Sequence, residues 1–585
     1  MNIFEYFRKE ILRIIASFSE EGALPKNLDV SSIKFELSKN LAHGDLASNA
    51  ALVLSRSVGE EPKQIASLLA GELRKIDHVE EVGIAGPGFI NLTLENKFWH
   101  EQLRQILSIG AAYGDANFGN GDKVNVEYVS ANPTGPLHIA HARGAVFGDV
   151  ISNLLEKVGY LVTREYYIND AGAQIAALGR SAHMRYCQAL GDDIGEMPEG
   201  LYPGEYLIGI GQELANLYGA KWQKKPETEW LNLFSEFSSA KMMELIRADL
   251  SALGVHQEVF TSEGEVVDAG WVDQMFNFLK EKNLVYTGVL SRPKGSGAQD
   301  NWEKRPQLLF RATKFGDNSD RALKKTNGEW TYFASDIANH FLKFNRGFRR
   351  MINIWGADHA GYIDRMKAAV SGITEGKGQL EVKLCQIVHL KKAGRPVRMS
   401  KRSGDFVTLR SVIDEVGKDI IRFIMLTRSN DSQMDFDLEK VLEQTRDNPV
   451  FYVQYAHARC CSILRHAGQH FPKKDLDPVS LAAAELGKIR NRSELNIIKT
   501  LSAWPQIVES AAISLEPHRV AFYLYDLASL FHALWNKGKE EADLKFLNPR
   551  DPELTRCRLA LVESVRSVIA SGLHSVGVEP LQELR

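Results

Sequence analysis

Residues 124–141 read Val124-Asn125-Val126-Glu127-Tyr128-Val129-Ser130-Ala131-Asn132-Pro133-Thr134-Gly135-Pro136-Leu137-His138-Ile139-Ala140-His141. The run up to Val129 is β-branched and apolar enough for a buried strand. Residues 130–136 are turn chemistry at almost every position. A helical pattern opens at about Leu137 and continues through Ala145, Val146, Val150, Ile151, Leu154 and Leu155. The segment 163–168 is the next expected strand. Strand, loop, helix, strand is the start of a parallel α/β sheet. His138 and His141 are three apart, so a helix puts them on one face of its first turn. Exposed N–H groups and the macrodipole favour phosphate oxygens there. An imidazole in that place can donate to a phosphate or to the oxygens of a transition state. Taken alone, H-x-x-H more often means two surface histidines at a helix start; the strand–turn–helix setting favours a nucleotide site.

Upstream, residues 3–19 carry apolar side chains on one helical face, and 45–74 reads as a second helical stretch. Between 81 and 94, two strands are expected around the turn Gly86-Pro87-Gly88. Downstream, 190–235 is richer in Gly, Pro and charge and reads as an insertion with helices. Residues 351–355 (MINIW) look like a further buried strand. From about 446 onward the chain is almost wholly helix-patterned, as in a bundle.

With 585 residues and 44% hydrophobic content, the chain has room for three or four domains, each with its own core. A formal net charge of −3 disfavours a polybasic protein, although a local basic surface suffices for RNA. The cysteines, Cys187, Cys385, Cys460, Cys461 and Cys557, are odd in number and form no C-x-x-C pair. Neither a disulfide framework nor a zinc ribbon is expected, and no metal ligands are assigned. The opening apolar residues are soon interrupted by Arg8, Lys9 and Glu10, unlike a secretory segment. No run approaches the ~18–20 apolar residues that cross a bilayer. A cytoplasmic protein without a membrane partner is expected.

A second piece lies at 397–404, Val397-Arg398-Met399-Ser400-Lys401-Arg402-Ser403-Gly404. A lysine on a Ser/Gly-flanked loop can close on a triphosphate as a point charge. Together, His138–His141 resembles the HIGH signature and 398–402 the KMSKS signature of class I aminoacyl-tRNA synthetases. The resemblance implies a Rossmann-type parallel-sheet catalytic domain with insertions and an aminoacyl-adenylate intermediate. It also implies ATP with Mg²⁺ as a substrate complex and no tightly bound cofactor. By it, His138, His141 and Lys401 are catalytic. Asn132, Pro133, Thr134, Gly135, Pro136, Leu137, Ala140, Asp358, His359, Met399 and Ser400 complete the ATP site. Ala140 stands where the family has glycine, and Arg398 and Arg402 replace the outer Lys and Ser.

Further blocks resemble arginyl-tRNA synthetases specifically: 126–149, 166–175 (YYINDAGAQI), 332–340 (YFASDIANH) and 355–362 (WGADHAGY). The segments 43–54 and 86–92 are similar to that family's N-terminal tRNA-binding domain. Those at 428–438 and 448–459 are similar to its DALR anticodon-binding domain. The chain then divides into a small α+β domain (1–112), the catalytic domain (113–395), the KMSKS-like loop with connecting helices (396–446) and an all-α helical bundle (447–585). The expected activity is ligation of L-arginine to tRNA(Arg) through arginyl-adenylate, by a monomer.

An arginine substrate carries a planar guanidinium with five donors, so its pocket needs carboxylates and other acceptors. The resemblance implies Tyr332 and Asp336 at the guanidinium end; their four-residue spacing puts them on one helical face. Glu127 and Asn132 are implied at the α-amino end, supported by Asn169, Asp170 and Gln174, with Ser130, His138 and His359 beside them. Lysine leaves part of such a fork unpaired, so poor use of lysine is expected. Phe89 and Asn91 offer an aromatic face and an amide edge for one unpaired base, by resemblance in the tRNA D-loop; Phe89 would also suit a small-domain core. Tyr455 and Arg459, beside Tyr452 and His457, suit an anticodon loop, with Lys488, Arg490, Arg492 and Lys499 nearby. Another class I synthetase, a small nucleotidyltransferase and a non-catalytic RNA-binding relative are the alternatives. The first lacks support from the 166–175 block. The second does not need so large a helical region, and the third would not keep His138, His141 and Lys401.

Overall fold

The structure is a computed structural model that describes residues 2–38, 40–290, 306–397, 407–445 and 447–583. It divides into two compact units, one of residues 1–116, 445–514 and 519–585, the other of 117–444 and 515–518.

The first unit begins with α1 (Ile3–Glu20), whose Asn2 side chain accepts from the Phe4 and Glu5 amides. Then come β1 (Phe35–Leu37), β2 (Leu46–Ser48), α2 (Ala50–Val58), α3 (Pro62–Leu73), β3 (Val79–Ala85), β4 (Phe89–Leu94) and α4 (Asn96–Ile109). The strands form an antiparallel sheet in the order β1-β2-β4-β3. The stretch 45–74 is thus not one helical run: it opens with a strand and holds two helices. Gly59, at φ 80°, closes α2 in the left-handed region, and Pro62 opens α3.

The second unit starts with β5 (Lys123–Glu127), α5 (Ile139–Lys157), β6 (Leu161–Ile168), α6 (Ala173–Ala189), α7 (Tyr206–Tyr218), α8 (Glu227–Ala252), β7 (Val259–Ser262), α9 (Glu263–Asp268) and α10 (Trp271–Glu281). A small antiparallel sheet of β8 (Val285–Gly288), β9 (Gln307–Phe310) and β10 (Arg321–Ala322) follows. Next are α11 (Tyr332–Asn345), β11 (Arg350–Gly356), α12 (Ile363–Thr374) and β12 (Gln379–Cys385). The unit closes with β13 (Val388–Lys392), β14 (Arg395–Pro396), α13 (Leu409–Val416), α14 (Lys418–Met425) and β15 (Met434–Asp437).

Its main sheet is parallel throughout, in the order β12-β11-β5-β6-β7. From β5 the chain winds one way through β6 and β7, then returns to the other side of β5 for β11 and β12. The carboxyl ends of β5 and β11 therefore flank the topological switch point, where open α/β sheets bind ligands. Helix α5 packs close to the strand: a Cβ at Gly148 would lie 2.3 Å from the Tyr128 ring. A buried ion pair, Arg422 with Asp149, ties α14 to α5. Residues 190–235 hold α7 and the start of α8 between loops, and α6, α7 and α8 share a core around Leu178, Tyr186, Leu214 and Phe234.

The chain then returns to the first unit with α15 (Pro449–Ala467), α16 (Pro478–Ala482), α17 (Arg492–Ser502), α18 (Trp504–Ser514), α19 (His518–Glu540) and α20 (Pro552–Ser575). Within that unit, Lys499 pairs with buried Asp45, and Trp504 Nε1 donates to Tyr113 O at 2.9 Å. Among the described residues no helix is long and apolar enough to cross a membrane.

Candidate active site and RNA-contact faces

Strand β5 delivers Glu127 to the switch point, and the chain then turns sharply. Val129 (φ 72°) and Ser130 (φ 39°) both sit in the left-handed region, unusual for side chains with a Cβ and costly for a β-branched one. Strain of about 1–3 kcal/mol per residue persists only where neighbours over-determine the turn. Here they do. Ser130 Oγ accepts from Tyr167 N at 3.0 Å and donates to Glu127 Oε1 at 3.2 Å. Tyr166 Oη donates to Ala131 O at 2.6 Å, and Tyr206 Oη to Thr134 O at 2.8 Å. Asn132 Nδ2 donates to Gln174 Oε1 at 2.8 Å.

His138 is extended (φ −121°, ψ 169°) and α5 starts at the next residue. The His138 amide donates to His141 Nδ1 at 3.1 Å, and the two rings lie 3.8 Å apart at 33°. Since Nδ1 accepts, neutral His141 carries its proton on Nε2, where it is a donor. Asn132, Thr134, His138, His141, Asp358 and His359 line one cavity of about 640 Å³. Asp358 and His359 stand at its mouth, 3.5 Å apart and largely exposed. Pro133, Gly135, Pro136 and Leu137 are buried framework, and Ala140 is half-buried; none of these five lines the cavity. Met399, Ser400 and Lys401, with Arg398 and Arg402, lie outside the described residues.

A second cavity, of about 310 Å³, shares Val129, Ser130, Asn132, Gly356 and His359 with the first. Its deeper wall carries Glu127, Tyr167, Asp336, Asn339, His340, Asn353 and Tyr362. Glu127 is ion-paired with fully buried Lys343, so its charge is already balanced from behind. Asp336 accepts from Tyr362 Oη at 2.7 Å. Burial raises its carboxyl to about 7; the Tyr362 hydrogen bond and Lys343 oppose the shift, while Glu263 and Glu127 add to it. Glu263 is itself buried, which raises its own carboxyl even though Ser335 bonds to it. The result is an acceptor-rich pocket short of positive charge, the environment that a cationic, donor-rich ligand relieves.

Of the residues expected to meet a substrate, Glu127, Ser130, Asn132, Asp336 and His359 converge on this cavity, with His138 in the adjoining one. Gln174 reaches it only through Asn132. Asp170 does not join them. It accepts from Ser262 Oγ at 2.6 Å and from Gly264 N at 3.0 Å, capping α9, and lines a separate cavity. Tyr332 shares α11 with Asp336 but is its first residue, 50% exposed, and lines neither cavity. Its hydroxyl instead packs on Gly172, where a Cβ would come within 2.4 Å. Sequence reasoning missed Tyr362, Asn339, His340, Asn353, Lys343 and Glu263. Tyr362, Asn339 and His340 do fall inside the blocks 332–340 and 355–362; Glu263 has no local signal. Among the described residues no group of three or more His, Cys, Asp or Glu is placed to hold a metal ion.

In the first unit, β4 alternates in side-chain direction. Ile90, Leu92 and Leu94 are core, whereas Phe89 is 40% exposed on the other face. Asn91 shares that face, beside Ala47 and Gly83 on the neighbouring strands, but is itself buried at 6% exposure. On α15, Tyr455 is partly exposed and the Arg459 guanidinium lies 4.1 Å from its ring centroid and 5.0 Å from that of Trp535. Arg459 Nη1 donates to His532 Nδ1 at 2.7 Å. Tyr452 stacks obliquely on His532 and Tyr525. His457 is buried against Leu581 O, and Lys488 and Lys499 are held by Asp551 and Asp45. Tyr455 is the exposed member of this cluster, and Arg490 and Arg492 are exposed as well.

Comparison with known proteins gives three family matches. They are the arginyl tRNA synthetase N terminal domain over residues 5–94, the tRNA synthetases class I (R) catalytic domain over 102–193, and the DALR anticodon binding domain over 453–584. An arginine–tRNA ligase of Parvibaculum lavamentivorans is 52% identical over 585 residues, covering all of both chains. One of Rhodospirillum rubrum is 51% identical, again over the whole of both. The solved arginyl-tRNA synthetase of Thermus thermophilus matches the fold with a TM-score of 0.74 at 22% identity, over 99% of this chain and 100% of that one.

Proposed function

This chain belongs to the arginyl-tRNA synthetase family, and from that premise we propose how its own residues carry the reaction. The activity is that of an arginine–tRNA ligase, with ATP, arginine and tRNA(Arg) as substrates. The arginine carboxylate attacks the α-phosphorus of ATP, a C–O–P bond forms and pyrophosphate leaves. A tRNA 3′-terminal hydroxyl then attacks the carbonyl, and AMP leaves. Such transfers need charge stabilisation more than covalent help. In our reading, His138 and the Nε2–H of His141, at the first turn of α5, donate to the phosphates as charge builds. Lys401 adds a point charge. Asn132, Thr134, Asp358 and His359 enclose the nucleotide, and Pro133, Gly135, Pro136, Leu137, Ala140, Met399 and Ser400 shape its surroundings. Mg²⁺ enters with the ATP phosphates as part of the substrate.

Asp336, with Tyr362 behind it and Glu263 nearby, takes the guanidinium. Glu127, Ser130 and Asn132 take the α-ammonium end, which points the carboxylate toward the histidines. One observation carries this reading: a half-buried carboxylate whose proton is held up to about pH 7 by desolvation, in a cavity that adjoins the histidine pair. Asp170 and Tyr332 act at one remove, Asp170 by capping α9 beside Glu263 and Tyr332 by closing on Gly172. The test is ATP–pyrophosphate exchange with each amino acid, with and without tRNA. Exchange should depend on arginine, and lysine should fall short by several orders of magnitude in kcat/KM; parity of the two would overturn the pocket assignment.

A proton competes with arginine for Asp336. Above about pH 7 the carboxylate is ready, and below it the acid must first lose its proton. KM for arginine is therefore expected to rise, by up to about tenfold per pH unit, as pH falls below 7, while KM for ATP does not follow it. A pH series of exchange kinetics checks this, and a KM flat from pH 6 to 8 would exclude the carboxylate as the partner.

The roles of the flanking regions follow the same premise. The α+β domain (1–112) and the bundle (447–585) hold tRNA, with Phe89 and Asn91 receiving one unpaired base and Tyr455 and Arg459 contacting the anticodon loop. The catalytic domain (113–395) and the loop region (396–446) hold ATP and arginine. Phe89→Ala should raise KM for tRNA by roughly tenfold through lost stacking, with both small-substrate KM values unchanged. An unaltered tRNA KM would return Phe89 to a purely structural role. We take the protein to act as a cytoplasmic monomer without a membrane partner.

A further inference from the structure

Three polar atoms in the wall of the 310 Å³ cavity are buried without a hydrogen-bond partner among the described residues: Asn339 Oδ1, Asn353 Oδ1 and Tyr167 Oη. Asn339 and Asn353 are 2% and 1% exposed. An orphaned buried carbonyl is costly unless a ligand donor satisfies it. Which end of Asn353 is orphaned is decided by its neighbour. His340 Nδ1 lies 2.8 Å from the Asp336 carbonyl oxygen, so it must carry the proton and donate. Its Nε2 is then a lone pair, and at 3.0 Å it accepts from Asn353 Nδ2. The amide cannot turn over without setting two acceptors against each other. Burial, with Lys343 adding to it, pushes the imidazolium down to about 4, so this neutral tautomer holds throughout the working range. Asn353 is also the register partner of Glu127 across β11 and β5, which places it at the α-ammonium end of the pocket.

We propose that His340 is a positioning residue that locks the Asn353 carboxamide with its carbonyl toward the substrate, where it accepts from the α-ammonium of arginine. This rests on the reading of the cavity as the arginine site. Asn339, one helical turn from Asp336, supplies a second neutral acceptor. Neutral carbonyls suit this place because Glu127 is already balanced by Lys343. A further carboxylate beside Asp336 would raise that group still more.

The test uses the full-length enzyme with two ligands, arginine and 5-guanidinopentanoate, which is arginine without its α-amino group. Asn353→Leu should raise KM for arginine about tenfold or more. The inhibition constant of 5-guanidinopentanoate and the KM for ATP should stay unchanged. His340→Leu should do the same. His340→Gln, which can still offer Asn353 an acceptor, should restore KM to within about threefold of the starting enzyme. The His340→Leu/Asn353→Leu pair should be no worse than Asn353→Leu alone, because one residue acts through the other. Equal weakening of both ligands, additive effects of the two substitutions, or an unchanged arginine KM would each overturn the proposal. Asp336→Asn serves as the reference. If it weakens both ligands while Asn353→Leu weakens neither, only this proposal falls; if it too weakens neither, the arginine-site reading falls with it.

Discussion

Asp336→Asn is expected to lower kcat/KM for arginine by roughly 10²- to 10⁴-fold, because removing one partner of a buried ion pair costs about 3–5 kcal/mol. The asparagine keeps the size of the side chain and can still accept from Tyr362 Oη, which bonds Asp336 Oδ2 at 2.7 Å. What it loses is the charge, and with it the two-pronged geometry that a carboxylate offers a guanidinium. The loss should appear mainly in KM for arginine, with KM for ATP little changed. The same substitution should move stability the other way. Asp336 binds its proton more tightly in the folded chain than at its ordinary value of 3.8. Its contribution to stability is therefore present at low pH and lost as pH rises from about 4 through about 7. At pH 8 without substrate, Asp336→Asn should melt above the parent protein, and saturating arginine should close the gap by stabilising only the parent. Thermal melts at pH 5 and pH 8, with and without arginine, check both halves. A variant no more stable than the parent at pH 8 would mean that the charged Asp336 carboxylate does not destabilise the empty pocket.

His141→Ala is expected to lower kcat by roughly 10²- to 10³-fold, the cost of removing one donor aimed at charge that develops in the transition state. His141 is held through Nδ1 by the His138 amide at 3.1 Å, so its Nε2–H is directed before substrate arrives. His138→Ala should cost a similar amount. Because the rings lie 3.8 Å apart, the double variant should lose less than the product of the two single losses. Arginine KM should stay within a few-fold, since His141 lines only the larger cavity. Single-turnover adenylate formation separates this from product release; a rise in KM for ATP with kcat intact would assign the histidines to ground-state binding instead.

Much of the catalytic fold was legible in residues 124–141 because its signals are local. A β-rich run, a turn of Ser, Asn, Pro, Thr and Gly, and a helical period each follow from neighbouring residues. The same locality explains the misread stretch 45–74. A three-residue strand, Leu46–Ser48, is too short to show a period of two, and it is a strand because β1 and β4 pair with it. The exposure of Phe89 likewise depended on which face of β4 met the core, and alternation along one strand does not say which side is covered.

For the site, the motifs alone pointed to the histidine pair, the aspartate on α11 and the family blocks around them. Only the tertiary structure decided what those residues do to one another. Spacing put Tyr332 and Asp336 on one helix, but the packing of α11 half-buries Asp336 in the cavity wall and leaves Tyr332 at the exposed helix start. Glu263, Lys343 and Asn353 lie outside the family blocks. Glu263 and Asn353 matter because strands and helices distant in sequence bring them beside Asp336 and Glu127, and Lys343 because α11 carries it to Glu127. A strand or helix period is written into neighbouring residues. Desolvation, ion pairing and the direction of an amide depend on what the rest of the chain places within a few ångströms, which a one-dimensional pattern does not contain.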